Sequence, residues 1–178
     1  ALISALDNPV QSEPLYKFAH KGDRVALVVS DMSRFWMRQD LVIPHLVDYL
    51  REHCQIPYDD ISIVVANGTH TGGDEHELRT LVSDAVFERV RVLNHDCLAN
   101  DLVYIGTTAH GTPVHINRCV AQADRVICLG AATHHVMAGF GGCRKSILPG
   151  VSGYETICKN HAFALDPTCL KSNSRIGN

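Results

Sequence analysis

Three apolar runs, each of strand length and free of charged residues, constrain the fold of this chain more than any other feature. They are Val25-Ala26-Leu27-Val28-Val29, Ile61-Ser62-Ile63-Val64-Val65-Ala66 and Val126-Ile127-Cys128-Leu129. A strand with one wet face alternates apolar and polar residues, so a continuous run is the pattern of a strand buried on both faces. Between the first two runs, apolar residues at Leu41, Ile43, Leu46, Val47 and Leu50 approximate a helical face over residues 41–53, closed by Ile56-Pro57. Residues 74–82 read as another helix after the turn-rich Thr71-Gly72-Gly73. Residues 90–93 read as a further strand, and residues 102–105 with 112–116 as a hairpin around His110-Gly111. Strands alternating with helices predict an α/β domain of Rossmann-like type, with a mostly parallel sheet and helices on both faces. Ligands of such sheets bind beyond the carboxyl ends of the strands, where Asp31, His70 and His135 are expected.

Composition narrows the function classes. With 46% apolar and 20% charged residues in 178, the chain suits one packed domain and does not read as disordered. A formal charge of −3 and scattered Lys and Arg argue against nucleic acid and anionic membrane surfaces. No apolar run approaches the ~20 residues of a membrane span and no signal peptide is evident, so the expectation is a cytoplasmic protein. The seven cysteines are odd in number and lack a C-x-x-C pair, which favours reduced thiols acting as small hydrophobes. An opening without Met and a polar tail (Ser172-Asn173-Ser174) lead us to expect a piece of a longer enzyme.

The densest chemical signal runs from His134-His135 through Gly139-Phe140-Gly141-Gly142-Cys143-Arg144-Lys145 to Leu148-Pro149-Gly150. Gly139, Gly141 and Gly142 allow close backbone approach, and successive amide N–H groups can cradle a phosphate. A bare glycine cluster is more often a simple turn, and this one has neither Walker nor Gly-x-Gly-x-x-Gly spacing. The flanking histidines and Lys145 favour function. Beside Arg144 and amide donors, Lys145 can be held in its neutral, nucleophilic form.

Of eleven histidines, His20, His45, His53 and His76 lie in helical or polar contexts and read as solvent-facing. His70, His135 and His161 lie in or beside glycine-rich or strand-end segments, where an imidazole can act as a base or bind a metal. Asp31-Met32-Ser33-Arg34 follows the first strand. Its carboxylate, hydroxyl and guanidinium suit a ribose, a phosphate or a substrate carboxylate, and Asp31 or Ser33 suits helix capping equally well.

These segments together resemble the amino-terminal domain of the lactate racemase family, which uses a nickel-pincer nucleotide. The resemblance rests on Ser30-Asp31-Met32-Ser33-Arg34, Asn67-Gly68-Thr69-His70, Asn94-His95-Asp96, Gly111-Thr112-Pro113-Val114, and the run from His135 through Lys145 and Pro149-Gly150 to Asn160-His161. It implies that Lys145 carries the cofactor covalently and that His161 completes nickel coordination, in a planar arrangement nickel favours. It further implies that His70 and His135 are paired acid-base residues, with His134 ranked below its neighbour, and that Arg34 binds the substrate carboxylate. Asp31, Ser33, Gly139, Gly141 and Gly142 would contact the cofactor, a nickel(II) pyridinium bisthiocarboxylic acid mononucleotide. The chain departs from the family at Cys143, where a small residue is expected, and at Phe35-Trp36, where proline is common.

The implied activity is that of an isomerase: racemisation or epimerisation of a small, lactate-like 2-hydroxy acid by reversible hydride transfer, with one histidine taking the hydroxyl proton. The implied partners are that small acid, a carboxy-terminal domain with no counterpart here, and the enzymes of cofactor biosynthesis. Two other readings stand beside it: a noncatalytic nucleotide- or phosphate-binding module, and a His-ligated zinc hydrolase, which the lack of a His-Glu-x-x-His spacing weakens.

Overall fold

The computed structural model describes residues 1–135 and 138–165. Two short helices, α1 (Leu2–Asp7) and α2 (Leu15–Phe18), lead into β1 (Val25–Ser30), which is buried at every position. After two 3-10 turns (Met32–Met37 and Gln39–Leu41) come α3 (Ile43–Glu52) and β2 (Ile61–Ala66). Then follow α4 (Glu75–Val82), α5 (Asp84–Phe87) and β3 (Arg91–Asn94). A hairpin of β4 (Val103–Thr107) and β5 (Pro113–Ile116) precedes α6 (Arg118–Ala121) and β6 (Arg125–Cys128). The remaining elements are the two-residue strands β7 (His134–His135) and β8 (Gly139–Phe140), then α7 (Cys143–Ile147) and α8 (Tyr154–His161).

The main sheet has the order β3-β2-β1-β6, and all its pairs are parallel. Alternate residues of the central strands serve opposite layers, as the period of two requires. Val25, Leu27 and Val29 of β1, with Ile61, Ile63 and Val65 of β2, pack on Ile43, Leu46, Val47 and Leu50 of α3 and on Leu78 and Leu81 of α4. Ala26, Val28 and Val64 pack the other way, on Val120 of α6, Val151 and Ile147 of α7. Helices therefore cover both faces, and the uninterrupted apolar runs are explained.

Local signals set the helix starts. A proline in the first turn of α3 is pre-organised for that position, where its missing N–H costs nothing. Asp74 and Glu77 form a capping box at α4: the Glu77 N–H donates to Asp74 Oδ1 at 2.9 Å and the Asp74 N–H to Glu77 Oε2 at 3.2 Å. The α3 helix begins two residues later than the apolar pattern predicts, because Gln39 is turned inward and buried. Its Nε2 donates to Ser30 O at 2.6 Å and its Oε1 accepts from the Ser30 N–H at 3.2 Å, which fixes where β1 ends.

The chain moves outward from β1 through β2 to β3, then returns to the opposite side of β1 with β6. Such a reversal leaves a crevice beyond the carboxyl ends of the flanking strands. Among the described residues no helix is long and apolar enough to cross a membrane.

Candidate functional site

A cavity of about 360 Å³ occupies that crevice. Strand ends contribute Ser30, Asn67 and Gly130 to its lining. Of the residues singled out in the sequence, Arg34, His70 and His135 line it, together with Gly141, Gly142, Lys145 and His161. Residues separated by more than a hundred positions thus meet in one cavity.

Lys145 sits in α7, half-buried; its N–H donates to Gly142 O at 2.9 Å and its carbonyl accepts the Gly150 N–H at 2.9 Å. Burial, and then the nearby Arg34 charge, lower the pKa of its amine and enlarge the neutral, nucleophilic fraction. His161 closes α8. Its Nδ1 lies 2.8 Å from the Ile157 carbonyl, so Nδ1 carries the proton and Nε2 keeps its lone pair for a metal.

His135 is reached by the Ala138 N–H, which donates to its Nδ1 at 3.1 Å, and its pKa is lowered by burial and then by the nearby charges of Lys145 and Arg34. Lys145 and Arg34 make this part of the cavity electropositive. His70, more than half exposed, lies on the loop after β2 and places Nδ1 2.5 Å from Asp31 Oδ2.

Asp31 is buried, 7% exposed, and Ser33 is exposed; both line a neighbouring cavity of about 270 Å³ that shares Asn67 and His70 with the first. Ser33 Oγ donates to Asp31 Oδ1 at 2.6 Å, and Arg34 Nη1 donates to Ser33 Oγ at 2.9 Å and to Asp31 Oδ1 at 3.4 Å. Burial alone would raise the Asp31 carboxyl, but hydrogen bonds from Ser33 and His70, together with the nearby Arg34 charge, hold it below the ordinary range.

Gly139 does not line the main cavity; it is buried at φ 72° and paired with His135 across β7–β8. His134 is exposed against Phe140, edge to ring, and does not line the cavity. Glycine is needed at Gly142, whose φ is +99°. At Gly141 a Cβ would stand 3.0 Å from Thr133 Oγ1, so a side chain there requires that hydroxyl to give way by a few tenths of an ångström.

Asn67 is a residue to which the sequence attached no role beyond its segment. It is buried; Nδ2 donates to Asn94 Oδ1 and to the His95 carbonyl, both at 3.0 Å, while Oδ1 has no partner. Trp36 and Met37 also line the main cavity. Their position just past Arg34 was the available signal. His20, His45, His53 and His76 are exposed, as their contexts predict.

The donor set also bears on a metal. Among the described residues no group of three or more His, Cys, Asp or Glu stands close enough to hold one. A single His161 ligand is compatible with a metallocofactor that carries its own donor atoms and is tethered at Lys145.

Residues 1–171 match the family described as the lactate racemase N-terminal domain. The chain belongs to that family. The lactate racemase of Lactiplantibacillus plantarum is 32% identical over 159 residues, which are 89% of this chain and 37% of that protein. The lactate racemase of Thermoanaerobacterium thermosaccharolyticum is 29% identical over 158 residues, 88% of this chain and 36% of that protein. The structure of the latter's apoprotein superposes with a TM-score of 0.84 at 29% identity, covering 93% of this chain and 40% of that one. A crystal structure of a Thermotoga maritima protein, 21% identical, covers 92% of this chain and 40% of its own with a TM-score of 0.69, and shows the same fold. The chain thus spans little more than a third of the length of its curated lactate racemase relatives.

Proposed function

We propose that this chain is the cofactor-bearing domain of a racemase or epimerase of a small 2-hydroxy acid. The observation that carries the reading is the meeting, in one cavity, of a half-buried lysine with a lowered pKa, a histidine whose Nδ1 is engaged by a backbone carbonyl, two further imidazoles and an arginine. Membership of the lactate racemase family supports it. When bound, a nickel-pincer nucleotide supplies the hydride acceptor that no protein side chain offers.

In this reading Lys145 holds the cofactor covalently, and His161 gives nickel its protein ligand. Gly141 and Gly142 let the backbone approach the nucleotide, and Gly139 shapes the turn that presents His135. Arg34 binds the substrate carboxylate through its planar fork of donors. His70 and His135 move the hydroxyl proton, one for each stereoisomer. A carboxy-terminal domain would complete the substrate site, and cofactor biosynthesis enzymes would load it.

The test is intact-mass and peptide-mapping spectrometry of protein produced with and without the nickel-cofactor biosynthesis enzymes. A nucleotide-sized adduct on the Lys145 peptide, present only with those enzymes, is expected. Unmodified Lys145 in both preparations would contradict the reading.

A further inference from the structure

We propose that Asp31 is a positioning residue for proton transfer: its buried carboxylate holds the neutral His70 ring in the Nδ1–H form, leaving Nε2 as the proton acceptor, and anchors Arg34 at the same time. This rests on the racemase reading above and assigns Asp31 a task different from cofactor contact. A carboxylate accepts only, so the 2.5 Å contact with His70 Nδ1 requires the proton on that nitrogen. Burial of Asp31 limits the water that competes for it.

The other imidazole makes the contrast. His135 Nδ1 accepts the Ala138 N–H at 3.1 Å, so its neutral ring carries the proton on Nε2. The two rings are thus held in opposite tautomers, and His70 is the one that presents a lone pair on Nε2. Taking the hydroxyl proton there makes His70 an imidazolium, a charge that the Asp31 carboxylate beside Nδ1 stabilises. The second Asp31 oxygen, bonded to Ser33 Oγ and Arg34 Nη1, ties the carboxylate-binding guanidinium to the same anchor. The proton acceptor and the substrate's anion site thus share one buried reference point.

The test reads the ring tautomers directly. In the ¹⁵N-labelled protein at about pH 8, above the usual imidazole titration, long-range ¹H–¹⁵N correlations are expected to show His70 protonated on Nδ1 and His135 on Nε2. In Asp31→Asn the new amide donates to the ring, and His70 should move to the Nε2–H form. His70 already carrying its proton on Nε2 in the parent protein overturns the proposal, whether or not the variant folds. In the cofactor-loaded enzyme, Asp31→Asn should lower kcat by about 100-fold, the scale of one lost acid-base group, with nickel content and the Lys145 adduct retained. An unchanged kcat overturns it. Absence of the adduct from the parent protein counts against the racemase reading alone, since the tautomer result decides the role of Asp31 independently.

Discussion

The wall of the cavity formed by strand ends and the wall formed by residues 130–150 with α8 differ in what holds them in place. At the strand ends the backbone of Ser30 is locked by the buried Gln39 amide, Asn67 is held by Asn94 and the His95 carbonyl, and Asp31 collects three donors. The opposite wall is held by backbone closeness. Gly141 N–H donates to Thr133 O at 2.6 Å, and a Cβ on Gly130 would stand 3.4 Å from the Gly142 Cα. The first wall carries the buried anion with Arg34 bonded to it, and the second carries Lys145, His135 and His161. On the proposed function, the groups that would admit a tethered ligand stand where glycines leave the backbone open, and those that would fix proton geometry stand just past the strand ends.

Substitutions that load one wall and spare the other sharpen this comparison. The largest effect is expected from Lys145→Ala, which should abolish the adduct entirely while leaving the thermal midpoint close to that of the parent, read by intact mass and calorimetry. Next is Gly150→Ala, at the joint between the walls, where a Cβ would stand 2.2 Å from Ser146 O and 2.8 Å from Ala66 Cβ. Backbone cannot yield cheaply there, so a loss of about 3 kcal/mol in urea unfolding is expected. Gln39→Leu, confined to the strand wall, strands the Ser30 N–H and carbonyl in the interior and should cost about 2 kcal/mol in the same assay. A Gln39 variant as stable as the parent would break the claim that a buried network holds this wall.

The smallest effect is a slope with pH. His95 is buried, with Nε2 2.9 Å from Ser152 O and Nδ1 3.3 Å from Asn117 Nδ2, and burial lowers its pKa from 6.5 despite the Ser152 carbonyl and Asp96. The unfolded chain therefore binds more protons than the folded one once pH drops below about 6.5. This contribution is full above that value and is lost as pH falls, so urea midpoints should decline on acidification, and His95→Gln should flatten that decline.

Much of this arrangement was legible in the sequence, and the limits have physical reasons. β1 and β2 were plain because burial on both faces demands continuous apolar residues, and their carboxyl ends then marked where Asp31 and His70 would stand. The inward turn of Gln39 was not legible, since a polar side chain satisfied by backbone looks in sequence like a solvated one. The adjacent His134 and His135 differ only by the alternation of a two-residue strand, which placed one outside and one in the cavity. Asp31 was visible as a strand-end carboxylate, but its partner lies 39 positions away and only the fold joins them. Part of the glycine-rich loop, Val136 and Met137, and the polar tail lie outside the described residues.

The most direct trial of the central claim, that Lys145 and His161 serve one bound group, is nickel quantification in loaded His161→Ala beside the parent. Nickel lost from the variant while its Lys145 adduct persists by mass is the predicted result, because the tether and the ligand are separate residues of one cavity. Equal nickel in variant and parent would contradict it.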